Sequence, residues 1–456
     1  MGSLYSALSI SVGALEAQQA GLETTTNNLA NMNTPGYSRQ RPVLQEADPT
    51  IEGQLAFGNG VSLTGIESLR DSLLNVQIAD EMQQQSKSQA YVDTMNQLQP
   101  LFPSDTSGIG AAISGFFASL NSLSSNPTDS SLRQSVLSAA NNLATSFNET
   151  AGQLDSTRSN LDLNVQQDVQ EVNQITAQIA SINQTLASVS STGSQYGSFL
   201  DQRDALVQQL SGLIDVSVLQ QGSSLTLTTR QGTALVVDSQ SFNLTTRLDS
   251  DDGTQHIYAQ AGDITGSISG GKLGGALQAR DQEIPSVLGQ LDTLASAMVT
   301  NLNSANQLGY DLNGDKGGNL FTPLTGTGAA AGMSVAITDP NLIAASSDGS
   351  SGSNGNIANL TAVANDAVSN GMTPIQTYGN LVFQVGSSIS NANADLTAST
   401  NVLQQLQQQQ SSVSGVSLDE EASNLMLYER AYQAAARAIS TVDEMLQTAI
   451  NMGTQQ

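Results

Sequence analysis

The sequence has no cysteine, no tryptophan and a single histidine, and aromatic residues make up only 4% of its 456 positions. Without cysteine there can be no disulfide, no thiolate metal ligand and no cysteine nucleophile, and cysteine usage leaves the compartment open. With so few aromatics, a core must be made from Leu, Val, Ile and Ala, which suits helix–helix seams better than bulky globular packing. Positive charge is the next scarcity. Fourteen Lys and Arg stand against forty Asp and Glu, a net charge of −26. That sign repels a phosphate backbone or an anionic membrane surface, so neither nucleic acid nor membrane is an expected partner. No apolar run approaches the roughly 20 residues of a membrane span. No Lys or Arg precedes Arg39, so the charged start of a secretory signal peptide is missing. Composition alone reads as a soluble cytoplasmic protein, long enough for two or three domains with real cores.

Candidates for chemistry are correspondingly thin. Any Ser-His-Asp mechanism must run through His256, whose polar, Asp- and Gly-rich surroundings predict a solvated loop or an edge strand. Asp311-Leu312-Asn313-Gly314-Asp315 starts like a calcium loop, but Lys316 stands at the sixth position and Thr322 at the twelfth, where Gly and a bidentate Glu belong. Gly266 to Lys272 nearly spells a phosphate loop, with Leu273 in place of the Ser or Thr that would hold magnesium. Gly326-Thr327-Gly328 with Gly332 is one residue off a dinucleotide fingerprint. No carboxylate pair has a spacing that argues acid/base work. The sequence therefore predicts no enzyme, no catalytic residue, no cofactor and no metal.

What the chain does have is helical periodicity. Leu8, Leu15, Leu22 and Leu29 recur every seventh residue, a stripe with a coiled-coil period. Gln18, Gln19, Thr25 and Thr26 thin the stripe, so this helix should be marginal alone and gain order on assembly. Asn27, Asn28, Asn31 and Asn33 then compete with helical hydrogen bonds, Pro35 lacks an N–H, and Pro35-Gly36 suits the centre of a type II turn. Residues 43–66 alternate like a hairpin or short strands. Helices are predicted at 69–98, 109–124, 130–189, from Phe199 to Leu213, 275–307, 357–370 and 376–409, with a loop- and strand-like stretch at 309–355. Thr- and Val-rich runs between 214 and 270 predict a small inserted β domain. The last helix opens with Ser417-Leu418-Asp419-Glu420, a capping box. Its stripe runs through Leu418, Ala422, Leu425, Tyr428, Tyr432, Ala435, Ile439, Val442, Leu446 and Ala449. It offers the partner that the N-terminal stripe needs.

The expected fold is mainly α with a β insertion: paired N- and C-terminal coiled-coil helices, a helical-bundle rod domain and a small outer β domain. Residues 1–45 with 412–456 form the terminal unit, 46–213 with 271–411 the rod domain, and 214–270 the insertion.

Residues 27–37, Asn-Asn-Leu-Ala-Asn-Met-Asn-Thr-Pro-Gly-Tyr, resemble the N-terminal signature of the axial proteins of the bacterial flagellum, the rod, hook and hook-associated proteins. Pro35 with Ser38-Arg39-Gln40, the run Gly415–Ala422, Tyr428, Ala431–Arg437 and Ile439 narrow the resemblance to the hook-associated protein 1 family. Internal blocks point the same way: Asp201-Gln202-Arg203-Asp204, Gly271–Gly275 with Arg280-Asp281, and Gly309–Gly314. The resemblance implies a structural protein that assembles on the distal end of the hook and forms the junction with the filament. Its implied partners are further copies of itself, the hook protein, a second junction protein (hook-associated protein 3) and through it flagellin, and an export chaperone at the C-terminal helix. It also implies export by the flagellar type III apparatus without a cleaved signal, hence an extracellular place on the flagellum, against the composition reading. Expected subunit contacts are Leu8, Leu15, Leu22, Leu29, Asn31, Asn33, Pro35, Gly36, Tyr37, Leu418, Ala422, Leu425, Tyr432, Ala435, Ile439, Val442 and Leu446. Two rival readings stand: a hook or distal-rod subunit, which would share the terminal motifs, and an enzyme or binding module carried on the insertion.

Overall fold

A computed structural model describes residues 2–52, 55–103, 107–221, 224–260, 262–324 and 326–453; Met1 and residues 454–456 of the expected terminal unit lie outside the described residues. The chain begins and ends in long helices, α1 (Gly2–Asn31) and α10 (Leu418–Gly453). They lie antiparallel: Asn28 reaches Glu421 while Gly21 lies under the Tyr428 ring, so numbers rise along one as they fall along the other. After α1 comes a hairpin of β1 (Gln40–Glu46) and β4 (Val61–Ser68), paired from Gln40↔Ser68 to Glu46↔Val61 with a register shift at Val43/Leu44. A small separate sheet of β2 (Thr50–Glu52) and β3 (Leu55–Phe57) lies between the two strands in sequence.

The middle helices are α2 (Ser72–Leu98), α3 (Gly108–Ser125), α4 (Ser130–Ser188) and α5 (Ser194–Leu213), then α6 (Gly271–Gln278), α7 (Ile284–Leu308), α8 (Ile357–Ala362) and α9 (Pro374–Ser414). Caps set several starts. Asp71 and Asp129 accept from the first backbone N–H groups of α2 and α4, and Thr373 with Gln376 closes a capping box on α9, with Pro374 at its first position. At 59 residues α4 is about 88 Å long. The sequence periodicity predicts a stripe of Leu161, Val165, Val169, Val172, Ile175, Ile179, Ile182, Leu186 and Val189, and all of these are buried except Ile182 and Val189, which are half-buried. Several helix bounds differ from expectation; α2 starts at Ser72 rather than 69, and α9 runs on to Ser414, past 409. α5 starts at Ser194, ahead of Phe199. The helix expected from 275 starts at Gly271 and passes through a π segment, Ala279–Glu283, before α7. α8 ends at Ala362, well short of 370, and Asn370 takes a left-handed φ of 47° in the turn before α9.

The predicted insertion is strand-rich, in two sheets. β5 (Ser217–Gln221), β6 (Ser224–Thr228), β7 (Ala234–Val237) and β8 (Gln240–Ser241) form an antiparallel meander; β9 (Thr245–Leu248), β10 (Gln255–Ala259) and β11 (Gly262–Asp263) form the second, with β10 central. Both lie along α4. The Asn183 amide donates to the carbonyls of Leu225 (3.0 Å) and Asp238 (2.7 Å), and Asn173 exchanges two hydrogen bonds with the Leu244 backbone, each 2.8 Å. Leu225, Leu227, Leu235, Val236, Leu244 and Ile257 share one apolar core with α4. At its other end that core holds Phe116, Phe147 and Phe321, all fully buried, with Phe116 edge-on to Phe321 at 5.9 Å. Each such side chain contributes on the order of 1.5–3 kcal/mol by leaving water.

Candidate assembly site

The asparagine-rich stop of α1 builds a polar clamp. Thr34 N–H donates to Asn31 O at 2.9 Å and Tyr37 N–H to Thr34 O at 3.2 Å, with Gly36 at φ 78°. That is the geometry of a type II turn with Pro35-Gly36 at its centre, where only Gly adopts the left-handed position without strain. The turn returns residues 37–40 alongside the helix end, where the buried Asn28 receives them. Its side-chain N–H groups donate to Gln40 O (2.9 Å) and Glu421 Oε2 (3.1 Å); its oxygen accepts from Gln40 N–H (2.9 Å) and Tyr37 O–H (2.8 Å). All four bonds are satisfied out of water, so replacing this one residue strands several partners.

Arg39 ties the clamp to its surroundings. Its guanidinium holds Glu421 (Nε to Oε1, 2.7 Å) and Glu420 (Nη1 to Oε2, 3.0 Å) in the first turn of α10. Its N–H donates to Ser414 O (2.9 Å) at the end of α9, and its carbonyl accepts from Leu69 N–H (2.7 Å). Glu420, expected to close a capping box on Ser417, instead gives its carboxylate to Arg39. Next door, Ser38 N–H donates to Asp201 Oδ2 (3.0 Å) on α5; Asp201 faces Arg70 at 3.7 Å, and Arg70 also pairs with Asp204. Burial pushes the Asp201 carboxyl above the usual carboxylate range, against the pull of Ser38 and Arg70. Burial, with the charges of Asp201 and Glu421, pushes the Tyr37 hydroxyl up to about 12, so it stays a proton donor to Asn28. The internal motif Asp201–Asp204 thus belongs to this clamp, 163 residues along the chain from the Ser38 it holds.

The helix seam differs from the expected leucine pairing. The buried residues of α1 are Ala17, Ala20, Gly21, Thr24, Thr25 and Asn28; Leu8, Leu15, Leu22 and Leu29 are only half-buried and flank the seam. A Cβ at Gly21 would stand 2.6 Å from the Tyr428 ring, so the seam is closed by small residues that let the helices approach. On α10, Ala435 is buried and Leu425, Tyr432, Ile439, Val442 and Leu446 are half-buried, whereas Leu418 and Ala422 are exposed. Asn31 and Tyr37 are half-buried at the clamp, and Asn33, Pro35 and Gly36 are exposed beside it. Among the residues that hold the site together, Gly21, Asn28, Arg39, Asp201 and Glu421 escaped the candidate set, although all but Gly21 lie in the motifs that carried the resemblance. Outside the seam, Tyr5, Met426, Leu427, Met445, Ile450 and Met452 are each more than half exposed.

The other candidates are tied into the fold. The Asp311 carboxylate accepts from the N–H groups of Asn313 (2.8 Å) and Asp315 (3.0 Å), while the Lys316 ammonium lies 4.1 Å from the Tyr310 ring centroid and donates to Leu308 O. A Cβ at Gly275 would stand 2.3 Å from Lys87 O, so the glycine run lets α6 touch α2. His256 is neither in a loop nor on an edge strand: it sits in central β10, between Asp263 (Nδ1, 2.6 Å) and Asp252 (Nε2, 3.1 Å), with Asp249 at 3.9 Å. Among the described residues no three His, Cys, Asp or Glu converge as a metal site, and no helix is long and apolar enough to cross a membrane.

Known proteins match along the whole chain. Residues 95–321 match the family model described as the flagellar hook-associated protein FlgK helical domain, residues 8–37 that of the flagella basal body rod protein, and residues 407–452 that of the flagellar basal body rod FlgEFG protein C-terminal. Flagellar hook-associated protein 1 of Bacillus subtilis is 30% identical over 506 residues, covering 99% of each chain. The protein of the same name from Salmonella typhimurium is 26% identical, over 98% of this chain and 100% of that one. Among solved structures, the flagellar hook junction protein FlgK of Burkholderia pseudomallei aligns at a TM-score of 0.68 and 20% identity, over 74% of this chain and all of that one, a likeness of fold.

Proposed function

Because the chain belongs to the flagellar hook-associated protein 1 family, structural proteins of the hook–filament junction, we propose that its paired terminal helices are the surface through which copies assemble. The observation that carries this is the mismatch between a rigid clamp and an incomplete helix pair. Asn28, Arg39 and Glu421 hold α1 and α10 in one position against the rod domain, yet the pair leaves its larger apolar side chains in water. A neighbour covers Leu8, Leu15, Leu22 and Leu29, the exposed Leu418 and Ala422, and the flanks of Leu425, Tyr432, Ala435, Ile439, Val442 and Leu446. Asn31, Asn33, Pro35, Gly36 and Tyr37 present the clamp loop to the same neighbour.

The division of labour follows the chain path. Residues 1–45 with 412–456 form the inner unit, 46–213 with 271–411 the rod domain, and 214–270 the outer β part. The junction assembles on hook protein and passes growth to hook-associated protein 3 and through it to flagellin. An export chaperone holds the exposed face of α10 before assembly, and the chain leaves by the type III apparatus without losing a signal peptide. The role is mechanical, and no step of it calls for catalysis. Deleting the gene, imaging the cells and assaying the medium for flagellin tests this. Hooks without filaments, with flagellin lost to the medium, are expected; cells lacking hooks would place the chain in the hook or rod, and intact filaments would overturn the junction role.

A further inference from the structure

An open groove runs between α1 and strand β4, walled by Tyr5, Leu8 and Val12 on the helix and Val61 and Leu63 on the strand. Tyr5 is 61% exposed and Leu63 41%. Glu16 and Glu23 line the same groove, seven residues or about 10.5 Å apart, both exposed. On α10 the same spacing returns with the opposite sign. Arg430 and Arg437 are seven residues apart and exposed. Arg430 follows Tyr428 by two residues and Arg437 follows buried Ala435 by two, so each stands about 200° around the helix from the seam with α1.

These arginines are two of only fourteen cations in a chain with forty acids, yet among the described residues neither forms an ion pair. Nor does their own helix offer one: positions three and four residues away are Met426, Leu427, Gln433, Ala434, Ser440 and Thr441. Exposed Met426 and Leu427 stand one turn before Arg430, matching the apolar walls of the groove. The chain's own α10 cannot fill the groove, because Gly21 and Tyr428 already hold it on another side of α1.

We propose that the outer face of α10 from a second copy of this chain seats in the groove between α1 and β4, with its two arginines on Glu16 and Glu23. Copies with their axes aligned keep the second α10 antiparallel to the first α1, so Glu16 meets Arg437 and Glu23 meets Arg430. The equal spacing makes both pairs at once, and the apolar flanks close around them. This rests on the reading that copies of the chain assemble through their terminal helices, and it names the two faces that meet.

The test uses the full chain returned to cells that lack it. R430E/R437E and, separately, E16R/E23R should each lower the fraction of filament-bearing cells by about tenfold or more, as opposed charges become like charges across the interface. The four changes together should restore filaments. Exported protein in the medium reports that each variant leaves the cell, and its far-ultraviolet circular dichroism reports that it folds. If the unaltered chain does not restore filaments, the assembly reading itself fails. If it does, and both reversals work as well as it does, only the groove is wrong. A second measurement uses the absence of native cysteine. E16C/R437C chains should form disulfide-linked multimers on oxidation of assembled flagella; monomers alone would overturn the proposal whatever the charge variants do.

Discussion

The helices around α4 and the helices at the two chain ends are held by different physics. Around α4, Phe116, Leu120, Val136, Leu143, Phe147, Leu154 and Phe321 are all removed from water, and the strands of the insertion add Leu227, Leu235 and Ile257 to the same core. Between α1 and α10 the fully hidden groups are few and small or polar: Ala17, Gly21, Thr24, Asn28, Glu421 and Ala435. Small residues remove little apolar area, so the first region is stable by burial and the second by position. The clamp supplies that position, and a neighbour must supply the missing area. A region built this way is ordered in the chain only while the clamp holds, and gains most when a copy binds.

The largest effect should come from the buried side. Phe147→Ala leaves a cavity in the core around α4 and should lower unfolding stability by about 3–5 kcal/mol. A denaturant melt followed by far-ultraviolet circular dichroism reads it, and a loss under about 1 kcal/mol would mean the rod core is no better packed than the ends. The next effect separates the two regions. Glu421→Ala removes the carboxylate that Arg39 and Asn28 share, leaving a half-buried cation with Glu420 alone. The expected loss is about 3 kcal/mol, at the low end for breaking a buried pair because Glu420 remains. It should appear as faster hydrogen exchange in α1 and α10 with the midpoint of the main unfolding transition unmoved. If that midpoint falls as far as it does for Phe147→Ala, the ends and the rod are one cooperative unit and the comparison is wrong.

Which of these features could be read from the sequence follows the same division. The stripe that buries large side chains was legible: Leu161 to Leu186 on α4 announces its inner face by period alone, whereas the stripe from Leu425 to Leu446 on α10 gives the side of the seam but stays half-buried. The Pro35-Gly36 turn was legible because two residue types with special backbones stand in the order the turn requires. The seam face of α1 was not. Ala17, Gly21 and Thr24 have little hydrophobic signal, and the louder period of Leu8, Leu15, Leu22 and Leu29 runs along its flank. Asn28 with Glu421 and Ser38 with Asp201 were invisible as pairs, because 393 and 163 residues separate the partners. The insertion was legible as strands from its Val and Thr runs. That it lies on α4 depends on Asn173 and Asn183, polar residues that a helix stripe would assign to solvent.

The smallest expected effect sits at the far end of the buried region, where β10 holds the one histidine. Burial alone would lower the His256 pKa, but hydrogen bonds and charges from Asp263 and Asp252 outweigh it and raise it. Burial works against the Asp252 carboxylate too, yet the Thr254 and His256 hydrogen bonds bring it down to about 2, and Asp263 is lowered in the same way. A histidine whose folded pKa lies above its unfolded value of about 6.5 stabilises fully below that pH and loses its contribution as pH rises through the folded value. Carboxylates lowered from 3.8 stabilise above that value and lose their contribution as pH falls. The triad is therefore strongest between about pH 4 and 6.5, and the sheet of β9, β10 and β11 should loosen on the alkaline side of that window. The pairs are surface pairs, so the change should stay under about 1 kcal/mol. Hydrogen exchange at the β10 amides, corrected for its intrinsic pH dependence, should show protection falling from pH 5.5 to pH 9, and H256N should abolish that fall while leaving α1 and α10 unchanged. An equal pH dependence at α1 and α10 in the unaltered chain would show that the loosening is not local to β10 and would overturn this reading.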